Sequence, residues 1–180
     1  MPTSIQLVFD TADPDREAGF WAEALGYQLQ APPNGFDTWA SFLQHQGIPE
    51  ERWNDASAVI DPDGKGPRIF FQRVPEGKSA KNRMHLDLNV SGGRSAALEE
   101  RKRGVDADVA RLKTLGASDE RGAIERDGEY WVRMNDPEGN EFCVSSRRGR
   151  RRRRAMACRN VTRPGQDMPA APGMLGLPLR

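Results

Sequence analysis

Residues 12–29 read ADPDREAGFWAEALGYQL, and this stretch decides the fold. Asp13-Pro14 is a helix start: the aspartate caps the first amides, and proline needs no amide partner in the first turn. Phe20, Trp21, Ala24 and Leu25 then form an apolar stripe at helical spacing. Gly26 stands where a helix end favours a left-handed residue. Just before this unit, residues 5–10 alternate as a strand, with Ile5, Leu7 and Phe9 on the core face and Gln6, Val8 and Asp10 on the other. Just after it, residues 27–30 begin a second strand.

The pattern then runs through strands to a turn and starts again. Residues 36–43 read as a strand, 47–54 as a loop holding solvated His45 at its approach, and 57–60 as a short strand. Asp61-Pro62-Asp63-Gly64 is a turn, and residues 68–74 form an apolar-rich strand. Residues 84–90 alternate like the first strand, with Met84, Leu86, Leu88 and Val90 opposite His85, Asp87 and Asn89. Val105, Val109, Leu112 and Leu115 fall at helical spacing before Gly116. Residues 123–126 and 129–134 read as strands, the latter rich in aromatic and β-branched types. Asp136-Pro137-Glu138-Gly139 repeats the earlier turn chemistry, and residues 141–145 form the last strand. The expected fold class is therefore α+β: two βαβββ modules whose mixed sheets form a cup, with the helices outside.

The chain has 180 residues, enough for one domain with a sizeable core. Its hydrophobic share of 37% is low for a globular chain, and part of the deficit lies at the C-terminus. Residues 147–180 hold ten of the 27 basic residues, all arginine, and one of the 26 acids, Asp167. The division is thus a domain at 1–146 and an arginine-rich tail at 147–180, expected to be disordered. With 17 bases against 25 acids, residues 1–146 make a poor nucleic-acid binder. Nucleic-acid binding is expected only if the tail supplies it. Two cysteines, Cys143 and Cys158, make no disulfide framework. No secretory signal or membrane span is visible, so the expected location is the cytoplasm. A phosphate loop, a nucleophile elbow and zinc-finger spacing are absent.

Three motifs together carry a family resemblance. Residues 12–29, residues 82–90 (NRMHLDLNV) and residues 131–144 (WVRMNDPEGNEFCV) resemble the first unit, the fifth strand and the terminal turn and strand of the glyoxalase/bleomycin-resistance/dioxygenase, or vicinal oxygen chelate, superfamily. The resemblance spans roughly residues 4–146. Members typically hold a divalent metal with side chains of the first, fourth, fifth and eighth strands, and they often pair as homodimers. By position these side chains are Gln6, Gln72, His85 and Cys143, with Glu141 two residues earlier on the same strand face as an alternative donor.

One imidazole, two neutral amides and a thiol form a weak metal set. The expectation is therefore no resident cofactor, with zinc, nickel or iron as the ion of a metal-dependent rival through His85, Gln6 and Gln72. The resemblance implies a small-molecule site in the cup, for a hydrophobic or aromatic ligand. Gln6, Gln72, Cys143 and Glu141 would bind it with the aromatic surface of Trp39, Phe70 and Trp131. His85 is the side chain expected to transfer protons if the protein is catalytic. The rival functions are a metal-dependent lyase, isomerase or dioxygenase and a tail that binds nucleic acid.

Overall fold

The computed structural model describes residues 3–90 and 96–146. The expected tail at 147–180 and the glycines of the loop at 92–93 lie outside the described residues. Each half of the domain repeats one topology. The first holds β1 (Gln6–Thr11), α1 (Pro14–Leu25), β2 (Gln28–Leu29), α2 (Trp39–His45), a 3-10 helix (Glu50–Asp55), β3 (Ala56–Ile60) and β4 (Arg68–Arg73). The second holds β5 (Asp87–Asn89), α3 (Leu98–Thr114), β6 (Ser118–Arg126), β7 (Glu129–Asn135) and β8 (Glu141–Ser145). The sheet orders are β1-β4-β3-β2 and β5-β8-β7-β6. In both, the first strand pairs parallel with the last and the other pairs are antiparallel. The duplicated α+β architecture read from the sequence is the one observed.

Local chemistry sets the first unit. The Asp13 carboxylate accepts from the Arg16 amide at 3.3 Å, Pro14 opens α1, and Gly26 closes it at φ 68°. Helix α1 buries Ala18, Phe20, Trp21, Ala22 and Ala24. Leu7 and Phe9 of β1 pack against the same core, as do Ile69 and Phe71 of β4. In the second half Val105, Val109 and Leu112 of α3 meet Val132, Met134, Phe142 and Val144. The two halves share one core, in which the Trp21 ring lies 5.3 Å from Phe142 and 5.4 Å from Phe9.

The turn Asp136–Asn140 fastens the halves together. Glu138 accepts from the Thr11 hydroxyl at 2.6 Å and from the amides of Ala12 and Asp13 at 2.9 Å. Asp136 accepts from the Trp21 indole N–H at 3.3 Å.

Three expectations are corrected. Residues 36–43 contain a helix start, not a strand. Thr38 and Ser41 form a reciprocal capping box, and α2 runs on from Trp39 to His45. His45 is thus in the last turn of α2, its ring 5.3 Å from that of Phe36. Residues 50–55 of the expected loop form the 3-10 helix. Ile5 and Met84 do not face the core. Each is 70% exposed, because the ladders begin only at Gln6 and Asp87 and leave both residues without a sheet beneath them. No helix among the described residues is long and apolar enough to cross a membrane.

One buried group carries a pH signature. Glu17 of α1 is fully buried, and neither carboxyl oxygen accepts a hydrogen bond. Burial, then the adjacent Asp136 carboxylate, pushes its pKa up to about 9. Glu17 therefore stays protonated in the folded protein and can donate to Asp136. Unfolding near neutrality releases that proton, so stability falls as pH rises from about 5 towards 9, with a slope of about 1.4 kcal/mol per pH unit. Glu17→Gln keeps a neutral donor and should flatten that part of the slope. Urea-unfolding midpoints at pH 5.5, 7 and 8.5 measure it, and equal slopes for both proteins would refute a protonated Glu17.

Candidate functional site

The face of the first sheet turned away from α1 is set by strand alternation. The parallel register of β1 and β4 places Gln6 beside Arg68, Val8 beside Phe70 and Asp10 beside Gln72. Arg68 donates to the side-chain oxygens of Gln6 and Gln30, each at 2.6 Å, and its guanidinium lies 5.1 Å from the Phe70 ring centroid. Gln72 donates to Asp10 at 2.8 Å. Helix α2 and the 3-10 helix lie over this face and enclose a hollow of about 450 Å³, lined by Trp39, Leu43, Ile48, Trp53, Ala58 and Phe70, among others. The indole N–H of Trp39 donates to the Gln30 carbonyl at 2.7 Å and that of Trp53 to the Ile48 carbonyl at 2.9 Å. With these donors satisfied, the two tryptophans offer a ligand ring surface rather than hydrogen bonds.

The corresponding face of the second sheet is polar. Asp87 of β5 is in register with Cys143 of β8, and Cys143 with Arg133 of β7. His85 Nε2 lies 3.6 Å from Asp87 Oδ1. One donor atom from each of His85, Asp87 and Cys143 falls within 4.8 Å of the others. The Cys143 thiol is half-buried, and its pKa is raised by that burial first and by the Asp87 carboxylate second. Two residues along, Glu141 accepts from the Asn82 amide at 2.9 Å and lies 3.3 Å from Lys78 Nζ. Burial alone raises the Glu141 pKa, but the Asn82 amide and Lys78 outweigh it and hold the carboxyl below its usual range. Glu141 lines a second hollow of about 410 Å³, between β6 to β8 and residues 78–81.

The site residues named from sequence thus separate into several places. Trp39 and Phe70 line the apolar hollow. His85 and Cys143 come together, and their third member is Asp87, which shares the polar face of residues 84–90 with His85. Gln6 and Gln72 are bonded within the first sheet rather than to that cluster. Trp131 lies on the second sheet, opposite Ser145 and Ile124, and Glu141 lines the polar hollow. Leu43 and Ile48 are not marked by the sequence pattern, which gives a strand at 36–43 and a loop at 47–54 where the structure has α2 and the 3-10 helix. That pattern does not single out Arg68, Arg121 or Arg133 either.

The model of the glyoxalase-like domain family matches residues 6–145. Solved structures share the fold at low identity. A glyoxalase/bleomycin resistance protein/dioxygenase family enzyme from Burkholderia phytofirmans is 16% identical, with a TM-score of 0.53 over 78% of this chain and 95% of that one. A fosfomycin resistance protein from Listeria monocytogenes, solved with Mn(II) and a dihydroxypropylphosphonic acid, is 10% identical, with a TM-score of 0.52 over 81% and 91%. A possible glyoxalase from Bacillus cereus is 16% identical, with a TM-score of 0.50 over 81% and 99%. No curated protein matches the chain.

The geometry at Cys143 has a measurable consequence. A thiolate reacts with an alkylating agent and a thiol does not, so the Asp87 charge slows Cys143. Asp87→Asn should raise its alkylation rate by iodoacetamide at pH 8 by several-fold. Peptide mapping separates this residue from Cys158, whose rate should stay unchanged. An unaltered Cys143 rate would show that the carboxylate does not act on the thiol.

Proposed function

The chain belongs to the glyoxalase-like domain family, and we propose that it takes a small apolar or aromatic molecule into the hollow between α2 and the first sheet. The observation that carries this reading is the lining of that hollow, where Trp39, Trp53 and Phe70 supply ring surface and Leu43, Ile48 and Ala58 fill between them. Apolar pockets of this size with a few placed polar groups are the common form of small-molecule sites. Arg68 is one of the polar groups here, with Arg52 and Asp55, and is held in place by Gln6 and Gln30. Binding gains from the ring surface removed from water. Arg68 then orients whatever polar substituent the ligand carries.

Titration with N-phenyl-1-naphthylamine, a neutral aromatic dye, tests this by dye fluorescence. Trp39→Ala and Phe70→Ala should each weaken binding about tenfold, the effect of losing one aromatic contact of roughly 1.4 kcal/mol. Trp131→Phe, on the other sheet, should leave it unchanged. Equal weakening by all three, or none by the first two, would remove this hollow as the binding site.

A second reading is favoured by the cluster of His85, Asp87 and Cys143. One imidazole, one carboxylate and one thiol make a donor set that fits zinc, and three protein ligands leave a coordination position for a substrate. The set is better than the one expected from sequence, because Asp87 brings a negative charge where Gln6 and Gln72 bring neutral amides. Bound there, a divalent ion would supply Lewis-acid polarisation of a substrate oxygen, the chemistry of a lyase or isomerase. His85, oriented by Asp87, is then a ligand and not the proton-transfer group it would be in a metal-free enzyme. Cobalt(II) reports on this directly through a sulfur-to-metal charge-transfer band in the near ultraviolet. The band should appear with the native chain and vanish in Cys143→Ser, while Asp87→Asn should lower cobalt affinity at least tenfold. Cobalt bound without a Cys143-dependent band would exclude this cluster as the site.

A further inference from the structure

The hollow over the second sheet carries a charge imbalance that neither reading above uses. Four cationic side chains line it: Lys78, Lys81, Arg121 and Arg133. Among the described lining residues the single acid is Glu141, and that carboxylate already lies 3.3 Å from Lys78 and accepts from the Asn82 amide. Lys81, Arg121 and Arg133 have no ion-pair partner among the described side chains. This concentration of positive charge runs against the domain's balance, since residues 1–146 hold more acids than bases.

A backbone irregularity brings two of these charges together. Strand β6 pairs with β7 from Ser118 opposite Asn135 to Asp119 opposite Met134, and pairing resumes only at Ala123 opposite Val132. Residues 120–122 therefore all oppose Arg133, and Gly122 takes the left-handed φ of 68° that lets the extra residues fit. Bulges of this kind re-aim side chains and recur beside binding sites. Here the bulge sets Arg121 against Arg133 at the rim of one hollow. Like charges facing one another across a ladder are destabilising when nothing lies between them. Two guanidinium groups with an oxyanion between them are instead a strong recognition unit, because each offers paired N–H donors in a fixed plane.

We propose that this hollow binds the anionic group of a small molecule, a phosphoryl or carboxylate group, through Arg121, Arg133 and Lys81. The ligand is a small molecule rather than a nucleic-acid backbone, because the hollow is local and the surrounding domain is net acidic and repels an extended polyanion. The site shares no lining residue with the apolar hollow. Arg133 neighbours Cys143 in register, so the anion sits beside the His85, Asp87 and Cys143 cluster.

The test is calorimetric titration of the full-length chain at constant ionic strength, with inorganic phosphate in one arm and succinate in the other. At least one should bind saturably, and the arm that does identifies the class. Arg133→Gln and Arg121→Gln should each weaken that binding at least tenfold. Lys65→Gln removes an exposed charge of the first half and should change nothing. Because every variant keeps the tail, differences between them report the hollow alone. Unchanged circular dichroism and melting temperature establish that each variant is folded. No saturable binding of either anion overturns the proposal, as does binding insensitive to both arginine substitutions. Binding of a short DNA duplex, lost on the same substitutions without saturable binding of either small anion, also overturns it by marking the patch as a polyanion surface.

Discussion

The grip of the turn Asp136–Asn140 on the start of α1 is the interaction on which the rest of the domain depends. Glu138, far along the chain from β1, gathers the Thr11 hydroxyl and the Ala12 and Asp13 amides into one carboxylate. These are amides at a helix start, where donors point outward and the helix dipole favours negative charge. Charge-assisted bonds of this kind are stronger than neutral ones. Asp136 adds the Trp21 indole, and Phe142 places its ring against the same tryptophan. The attachment has a cost, because the Glu17 carboxyl must be buried beside Asp136 and stays neutral to do so. The order of the two sheets within the domain follows from this fastening, since Trp21 and Phe142 lie under opposite halves of one shared core.

With the halves fastened, pleating does the rest. In each sheet the parallel pairing of first and last strands sends residues of one parity to the helix side and the other parity to the open face. The helix sides have become alike and the open faces have not. Ile69 and Phe71 on one sheet match Phe142 and Val144 on the other as buried apolar pairs. Opposite them, the first sheet presents Phe70 and Ala58 beneath two tryptophans, and the second presents Asp87, Cys143, Arg133 and Glu141. The repeated topology fixes the core, while the chemistry of the open face differs from half to half.

The parts legible in the sequence are those decided by local rules. Asp13-Pro14, Gly26, the 2-residue alternation of β1 and the paired Asp-Pro turns each have a short-range physical cause, and each is found where the residues place it. Helix α2 reads as a strand because Phe36, Trp39 and Phe42 are aromatic types that strands favour. The deciding signal was the Thr38 and Ser41 cap, which is two hydroxyls and no acidic residue. The alternation of residues 84–90 puts Asp87 on the face of His85 but does not bring it to Cys143. Its neighbour Cys143 is set by the parallel register of β5 on β8, a long-range choice that periodicity along one strand does not encode. Arg121 was hidden by the bulge, which breaks the alternation that assigns a face to each residue of β6.

The least anchored of these elements is also the one that covers the apolar hollow. No residue of α2 is buried, and Trp39 remains 42% exposed. Its ring contacts are short-range, Phe36 to Phe42 at 5.2 Å and Trp39 to Phe42 at 5.7 Å, and its tie to the sheet is the Trp39 bond to the Gln30 carbonyl. A seven-residue helix is too short to hold itself in water, so its position depends on what fills the space beneath it. Elements with few buried contacts open at low free energy and are drawn into binding. On the proposed reading, an aromatic ligand under α2 buries Trp39 and Leu43 against Phe70 and supplies the apolar contacts that the sheet alone does not give. Affinity and the ordering of α2 then draw on the same buried surface. A substitution that loosens the helix without touching the hollow, such as one at Thr38, acts on binding through that shared surface.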